Sequence, residues 1–302
     1  MRTSPNRLGP AALAIGGYAV LIGYTDNYVR VIAAEAGLWQ FHATRTLFGV
    51  VLFALAAPLF GLVLRPRNLR AVAARSAVLA AAMLVYFGCL AFLTVAQVAA
   101  GLFTAPIFVL IIGRVIYGHP IGPFRVAAAL IGFLGVVLVL GPTAAEGLGW
   151  ASILPVLAGV LYAMANLATR EWCAGESAAT LTLGFFVAIG LAGVVGMGLL
   201  ALWPLPVAEG ADGFITRGPV WPSTTFLFWT FVQALGSAVA VGLCIRAYQL
   251  AEANRVAVLE YVILPVSAAW GWLLWSETLT LLAVLGMALI ALAGALIALR
   301  AR

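Results

Sequence analysis

Residues 98–141 read VAAGLFTAPIFVLIIGRVIYGHPIGPFRVAAALIGFLGVVLVLG. Two apolar runs, 98–117 and 122–141, flank Gly118-His119-Pro120. Each is long enough to cross a bilayer, because an α-helix needs about 20 residues to span roughly 30 Å of hydrocarbon. Proline ends a helix and arginine avoids lipid, so the break between Arg114 and Arg125 is a firm boundary. The pattern is that of a membrane hairpin.

The rest of the chain extends the same pattern. Its 302 residues are 65% apolar, with 16 basic and 10 acidic side chains, so charged residues make up 9%. Soluble domains carry roughly 25%. So few charges cannot cover the surface of a soluble fold, which excludes an ordinary cytosolic enzyme. Further apolar runs give ten expected spans, near 10–33, 38–64, 73–95, 98–117, 122–141, 149–171, 178–203, 222–249, 256–275 and 279–299. Between the third and fourth, only Gln97 near Thr94 and the total length argue for a break. The expected fold is an all-α polytopic membrane protein with no room for a soluble domain. Any function must sit among the helices.

All the cations are arginine, and most lie between spans. With the N-terminus in the cytoplasm, Arg2, Arg7, Arg65, Arg67, Arg70, Arg75, Arg114, Arg125, Arg170, Arg246, Arg255, Arg300 and Arg302 fall on the inner side. Arg30 and Arg217 fall outside, and Arg45 lies within a span. That asymmetry is a topology signal rather than a nucleic-acid footprint, so no nucleic acid is expected as a partner. Both termini are expected in the cytoplasm, and the long connection 204–221 reads as an outer surface loop. The first apolar run exceeds signal-peptide length. Cys89, Cys173 and Cys244 are widely spaced and read as packing residues, not a disulfide framework.

The two halves can be laid over each other. An offset of 140 pairs Asp26 with Asn166 and Arg30 with Arg170, and an offset of 159 pairs Pro106 with Pro265 and Gly135 with Gly294. Five spans per half is an odd number, so the second half inserts upside down. The expected units are 1–142 and 149–302, two inverted five-helix repeats around a central cavity.

On these features the chain resembles the drug/metabolite transporter superfamily, whose ten-helix members carry two EamA-type repeats. Leu264-Pro265…Ser276-Glu277-Thr278-Leu279…Gly286…Gly294 is similar to the Pro…GluxLeu…Gly…Gly signature that closes each repeat. The first copy, Ala105-Pro106…Gly118-His119-Pro120-Ile121…Gly132…Gly135, has Gly118 in place of the glutamate. The resemblance is strongest to bacterial amino-acid exporters, the aromatic branch foremost. It implies an inner-membrane, multi-pass exporter of small amphipathic metabolites that works by alternating access.

An ionisable residue inside a span costs about 2.5–3.5 kcal/mol on insertion scales, so it normally faces protein or water and has a partner. Asp26 and Arg45 lie equidistant from the centre of the first hairpin, which suggests an ion pair near the outer mouth or a direct role on a zwitterionic solute. His42, one turn from Arg45, is a candidate for proton coupling or a plain hydrogen-bonded side chain. Arg246 and Glu260 are placed alike about the 249–256 connection, as an anchor or an inner gate.

Deeper polar groups are uncharged. Tyr162 and Asn166 share one face of the sixth span, and Trp229, Gln233 and Ser237 form a stripe on the eighth. Tyr24 and Tyr86 sit inside the first and third. Helix-to-helix hydrogen bonding would account for each singly. As a set, Tyr24, Tyr86, Tyr162, Asn166, Trp229 and Gln233 describe an aromatic-walled cavity for a small-molecule substrate. Pro106 and Pro265 read as static bends or as hinges. Trp150, Trp221, Trp275 and Tyr117 read as interface anchors.

Other classes fit less well. A membrane enzyme acting on lipid-soluble substrates would need clustered catalytic residues such as HxxxxD or HExxH, and none is present. No cofactor or metal motif is found, and no P-loop. An exporter of other drugs or metabolites stays open.

Overall fold

A computed structural model describes residues 7–89, 95–140 and 153–299. Thirteen α-helices run through them. They are α1 (Leu8–Asn27), α2 (Val29–Glu35), α3 (Leu38–Phe60), α4 (Leu69–Cys89), α5 (Val95–Leu102), α6 (Ala105–Val115) and α7 (Pro123–Leu140) in the first half. The second half holds α8 (Ile153–Glu171), α9 (Ala178–Leu202), α10 (Thr224–Leu250), α11 (Ala253–Leu259), α12 (Ile263–Trp275) and α13 (Leu281–Leu299). Nine helical stretches among the described residues are long and apolar enough to cross a membrane, with Leu281–Ile297 as a shorter apolar helix. Arg2, Arg300, Arg302, Trp150 and the Thr94 side of the third break lie outside the described residues.

Local signals set the ends. Ser177 and Ser223 cap α9 and α10 by accepting from the backbone N–H groups of Thr180 and Phe226, at 2.9 and 3.0 Å. The two α6 and α12 ends share one geometry. Gly118 and Ser276 both adopt left-handed backbone, and the next residue's N–H returns to a carbonyl six positions back, His119 to Gly113 and Glu277 to Gly271. This register sets Gly118 against Ser276 and His119 against Glu277, one residue away from the sequence expectation that aligned Gly118 with the glutamate.

The helix pairs obey the repeat. Major contacts join α1 to α10 and α12, α8 to α4 and α6, α3 to α9 and α10, α9 to α4, and α7 to α13. Exchanging the halves (α1 with α8, α3 with α9, α4 with α10, α6 with α12, α7 with α13) maps this set onto itself, whereas the comparably large α5–α8 contact has only a small α1–α11 counterpart. Close crossings use small residues, as expected where helices associate without a hydrophobic driving force. A Cβ on Gly286 would lie 2.5 Å from the Gly135 carbonyl oxygen, and one on Gly135 2.7 Å from that of Gly286.

We call the side where α1 begins the near face and the other the far face. The 204–221 connection is a surface loop, exposed over 204–210 and 219–221, whose middle docks on the far face. Phe214 is buried with Ile32, Leu38, Phe41 and Phe226. The Leu38 N–H donates to the Phe214 carbonyl at 2.6 Å, the Trp39 indole to Ile215 at 3.0 Å, and Gln40 exchanges two hydrogen bonds with Val220. Arg217 donates to the Ala33 carbonyl at the end of α2, at 2.8 Å. The sequence has no periodicity here because the segment is held by backbone groups and one buried ring.

Candidate functional site

Both fourth spans are interrupted just before their proline. Residues 103–104 separate α5 from α6, where Pro106 lies in the first turn. A 3₁₀ turn, Glu260–Val262, separates α11 from α12, where Pro265 lies in the first turn. A proline there loses no helical hydrogen bond, since first-turn N–H groups have no partner in the helix. The interruptions lie toward opposite faces because the two helices run in opposite directions.

The sequence-derived cavity residues divide between two polar clusters. In the far half, Asp26 and Arg45 do not form the expected direct ion pair. Gln233 stands between them: its Nε2 donates to Asp26 Oδ1 at 3.3 Å, and its Oε1 accepts from Arg45 Nη1 at 3.4 Å and from Ser237 Oγ at 3.3 Å. Equal distance from a hairpin gives equal depth but does not fix the side of the helix. Asp26 lies deep among protein atoms yet its side chain is exposed to solvent, so it borders an opening within the bundle. Above it the Tyr28 and Trp229 rings stack at 3.6 Å and 12°, and Tyr24 meets Tyr28 and Trp270 edge-on. Tyr86 packs on Phe87, whose ring faces His42.

The guanidinium of Arg45 lies over Phe186 at 5.2 Å and Phe41 at 5.3 Å. His42 is fully buried, and both its ring nitrogens lack a hydrogen-bond partner.

In the near half, Tyr162 donates to Glu260 Oε2 at 2.7 Å, and Asn166 Nδ2 donates to the Tyr248 hydroxyl at 3.1 Å. Tyr248 also interacts electrostatically with the Glu260 carboxyl, and Tyr18 with Tyr162. Arg246 takes no part. It is exposed and reaches only Gln249, at 3.4 Å, which overturns the expected Arg246–Glu260 pair. Glu260 is turned inward by the 3₁₀ segment, whereas Arg246 sits two residues before Tyr248 and faces away. Gln233 and Cys244 are eleven residues apart on α10, so the clusters are separated by about 16 Å at 1.5 Å per residue.

Sequence reasoning missed Tyr18, Tyr28 and Tyr248, whose signal was a polar hydroxyl in an otherwise apolar run. It also did not show that Arg75, counted as an inner-side charge, is held within the protein. Arg75 is buried, donating to Thr169 Oγ1 at 3.0 Å and to the Leu181 carbonyl at 3.3 Å.

Residues 9–141 match the model of the EamA-like transporter family. A riboflavin transporter of Rhizobium johnstonii is 29% identical over 177 residues, 59% of this chain. That match spans about half, 53%, of the relative's length. A pseudopaline exporter of Pseudomonas aeruginosa is 24% identical over 281 residues, covering 91% of this chain and 92% of the relative. One solved crystal structure superposes with a TM-score of 0.75 over 96% of this chain and 99% of its own, at 20% identity, and so shares the fold. These matches identify the first half of the chain with an EamA-like transporter domain, and the chain as a whole is similar to transporters of the drug/metabolite type.

Proposed function

We propose that the protein is a secondary carrier that exports small amphipathic molecules across the bacterial inner membrane by alternating access. The observation that carries this reading is the solvent-exposed Asp26 inside the bundle, joined through Gln233 to Arg45 under the Tyr28–Trp229 stack. Such a site offers one negative group, one positive group, amide hydrogen bonds and flat aromatic surface. Amino acids, the aromatic ones foremost, match those features. The relatives named as a riboflavin transporter and a pseudopaline exporter support small-molecule transport more broadly.

In this reading the near cluster around Glu260 lies on the same route, and the interruptions at Pro106 and Pro265 are the hinges. The repeats divide at 142/149, and both termini face the cytoplasm.

Purified protein in liposomes, loaded with single radiolabelled amino acids and with riboflavin, tests the proposal with and without an imposed proton gradient. Protein-dependent flux of an amino acid that Gln233→Leu abolishes supports it. Flux of riboflavin alone would overturn the amino-acid assignment, and no flux of any solute would overturn the carrier reading.

A further inference from the structure

One turn toward the far face from the Arg45–Gln233 contact, the polar groups have no partners. His42 and Thr230 each precede a member of that contact by three residues, on α3 and α10, and both helices start from the far face. They therefore lie at one depth. Both are fully buried, and both imidazole nitrogens of His42 and Oγ1 of Thr230 are without hydrogen bonds. Arg45 is 6% exposed, and its Nε–H also reaches no acceptor. Among the described residues no carboxylate forms a salt bridge with it; its nearest acid, Asp26, is reached only through the Gln233 amide.

Buried polar groups are nearly always hydrogen-bonded, and a guanidinium surrounded by aromatic rings holds an uncompensated charge. Three side chains from two packed helices that leave polar groups idle at one depth, within a turn of the Arg45–Gln233 contact, suit an acceptor supplied from elsewhere. The guanidinium fork is matched in plane and spacing by a carboxylate. A phosphate dianion would call for clustered cations, and only one is here.

Resting on the carrier reading above, we infer that Arg45, His42 and Thr230 form the subsite for the carboxylate of the transported solute, and so make the protein selective for organic acids over their neutral analogues. Asp26, on the other side of Gln233, is left for a cationic or hydroxyl-bearing part of the same solute. The aromatic surface of Trp229 lies one residue from Thr230.

Calorimetric titration of the purified protein in detergent with 3-phenylpropanoate and its near-isostere 3-phenylpropanamide tests this directly. The acid is expected to bind about tenfold or more tighter than the amide, the usual scale of a charge-assisted hydrogen-bonded pair. Arg45→Gln should bring that ratio close to one, and Arg45→Lys should restore part of it. Thr230→Val, which removes one idle hydroxyl without touching charge, should weaken the acid a few-fold and leave the amide unchanged. It serves as the second variant should Arg45→Gln fail to fold.

Equal affinity for the two probes in the unaltered protein, no saturable binding of either, or an unchanged ratio in Thr230→Val and whichever Arg45 variant folds would each overturn the inference. Failure here together with amino-acid flux in liposomes would leave the carrier reading standing. Acid-selective binding without flux would do the opposite.

Discussion

Arg30 and Glu277 tie the first half to the second on the far face with a 2.7 Å ion pair, and Glu171 and His119, at 3.2 Å, do so on the near face with the charges reversed. The matching left-handed caps set His119 opposite Glu277, and the repeat sets Arg30 opposite Arg170, the neighbour of Glu171. The far-face pair uses a guanidinium, and the near-face pair an imidazole.

Loss of the His119–Glu171 contact is therefore expected to favour opening of the near face. Partly exposed pairs contribute at most about 1 kcal/mol, so the open-to-closed ratio should change by up to about fivefold. Spin-label distances between Val126 and Ala174 would report it. His119→Gln should lengthen that distance, and His119→Arg, which places a cation opposite Glu171, should keep it short. An unchanged distance in His119→Gln would show that the pair does not hold the near face closed.

The two faces can be assigned by labelling. Cys89, Cys173 and Cys244 are buried, so the background is low. A cysteine at Glu209, in the docked loop, should react with an impermeant maleimide in whole cells, and one at Arg67 should not. The reverse pattern would turn the molecule over in the membrane.

Arg246 and Glu260 should part company under mutation. Arg246→Ala removes an exposed side chain and is expected to change stability by less than about 0.5 kcal/mol, with transport unaffected. Glu260→Leu leaves the hydroxyl of Tyr162 without its acceptor in a buried place, at a cost of about 1–3 kcal/mol. Thermal unfolding in detergent distinguishes the two, and equal effects would reinstate the pair.

Gly286→Val should be costly for a different reason. The new side chain would meet backbone at Gly135 O and at Val139 N, 2.7 Å away, and backbone cannot swing aside. Overpacking of this kind costs roughly 1–3 kcal/mol. Gly198→Ala, in open space on the same kind of helix, is the control and should be neutral.

The spans were legible because an apolar run of bilayer length has one main interpretation. Arg30 and Arg170, or Pro106 and Pro265, could be matched because a repeat preserves order. Azimuth could not be read. Depth placed Arg246 beside Glu260 and Asp26 beside Arg45, but which way each side chain points depends on helix rotation and on the 3₁₀ turn at Glu260, neither of which periodicity in an all-apolar helix reveals. The tyrosines at 18, 28 and 248 were hidden for the same reason, since an aromatic ring suits lipid, protein or a cavity equally well. The docking of 204–221 rests on backbone hydrogen bonds, which leave no pattern in side-chain identity.

That loop has a bearing on energetics beyond its place on the surface. If the halves were interchangeable, the two openings would be equal in free energy, and the empty molecule would divide its time evenly between compartments. The contacts of Phe214, Ile215, Arg217 and Val220 with α2 and α3 are answered on the near face by the shorter 61–68 connection, where the Val63 carbonyl accepts from Ser177 and Thr180 and the Arg67 and Asn68 N–H groups donate to Glu176, but the longer far-face segment adds the buried ring of Phe214 and the reach of Arg217. Any motion that pulls α2 and α3 from this segment must break these added contacts, so the two openings differ in what they cost. Directional preference is thereby written into an insertion rather than into the solute-binding residues, and shortening the loop would shift the resting balance while leaving the affinity of the site alone.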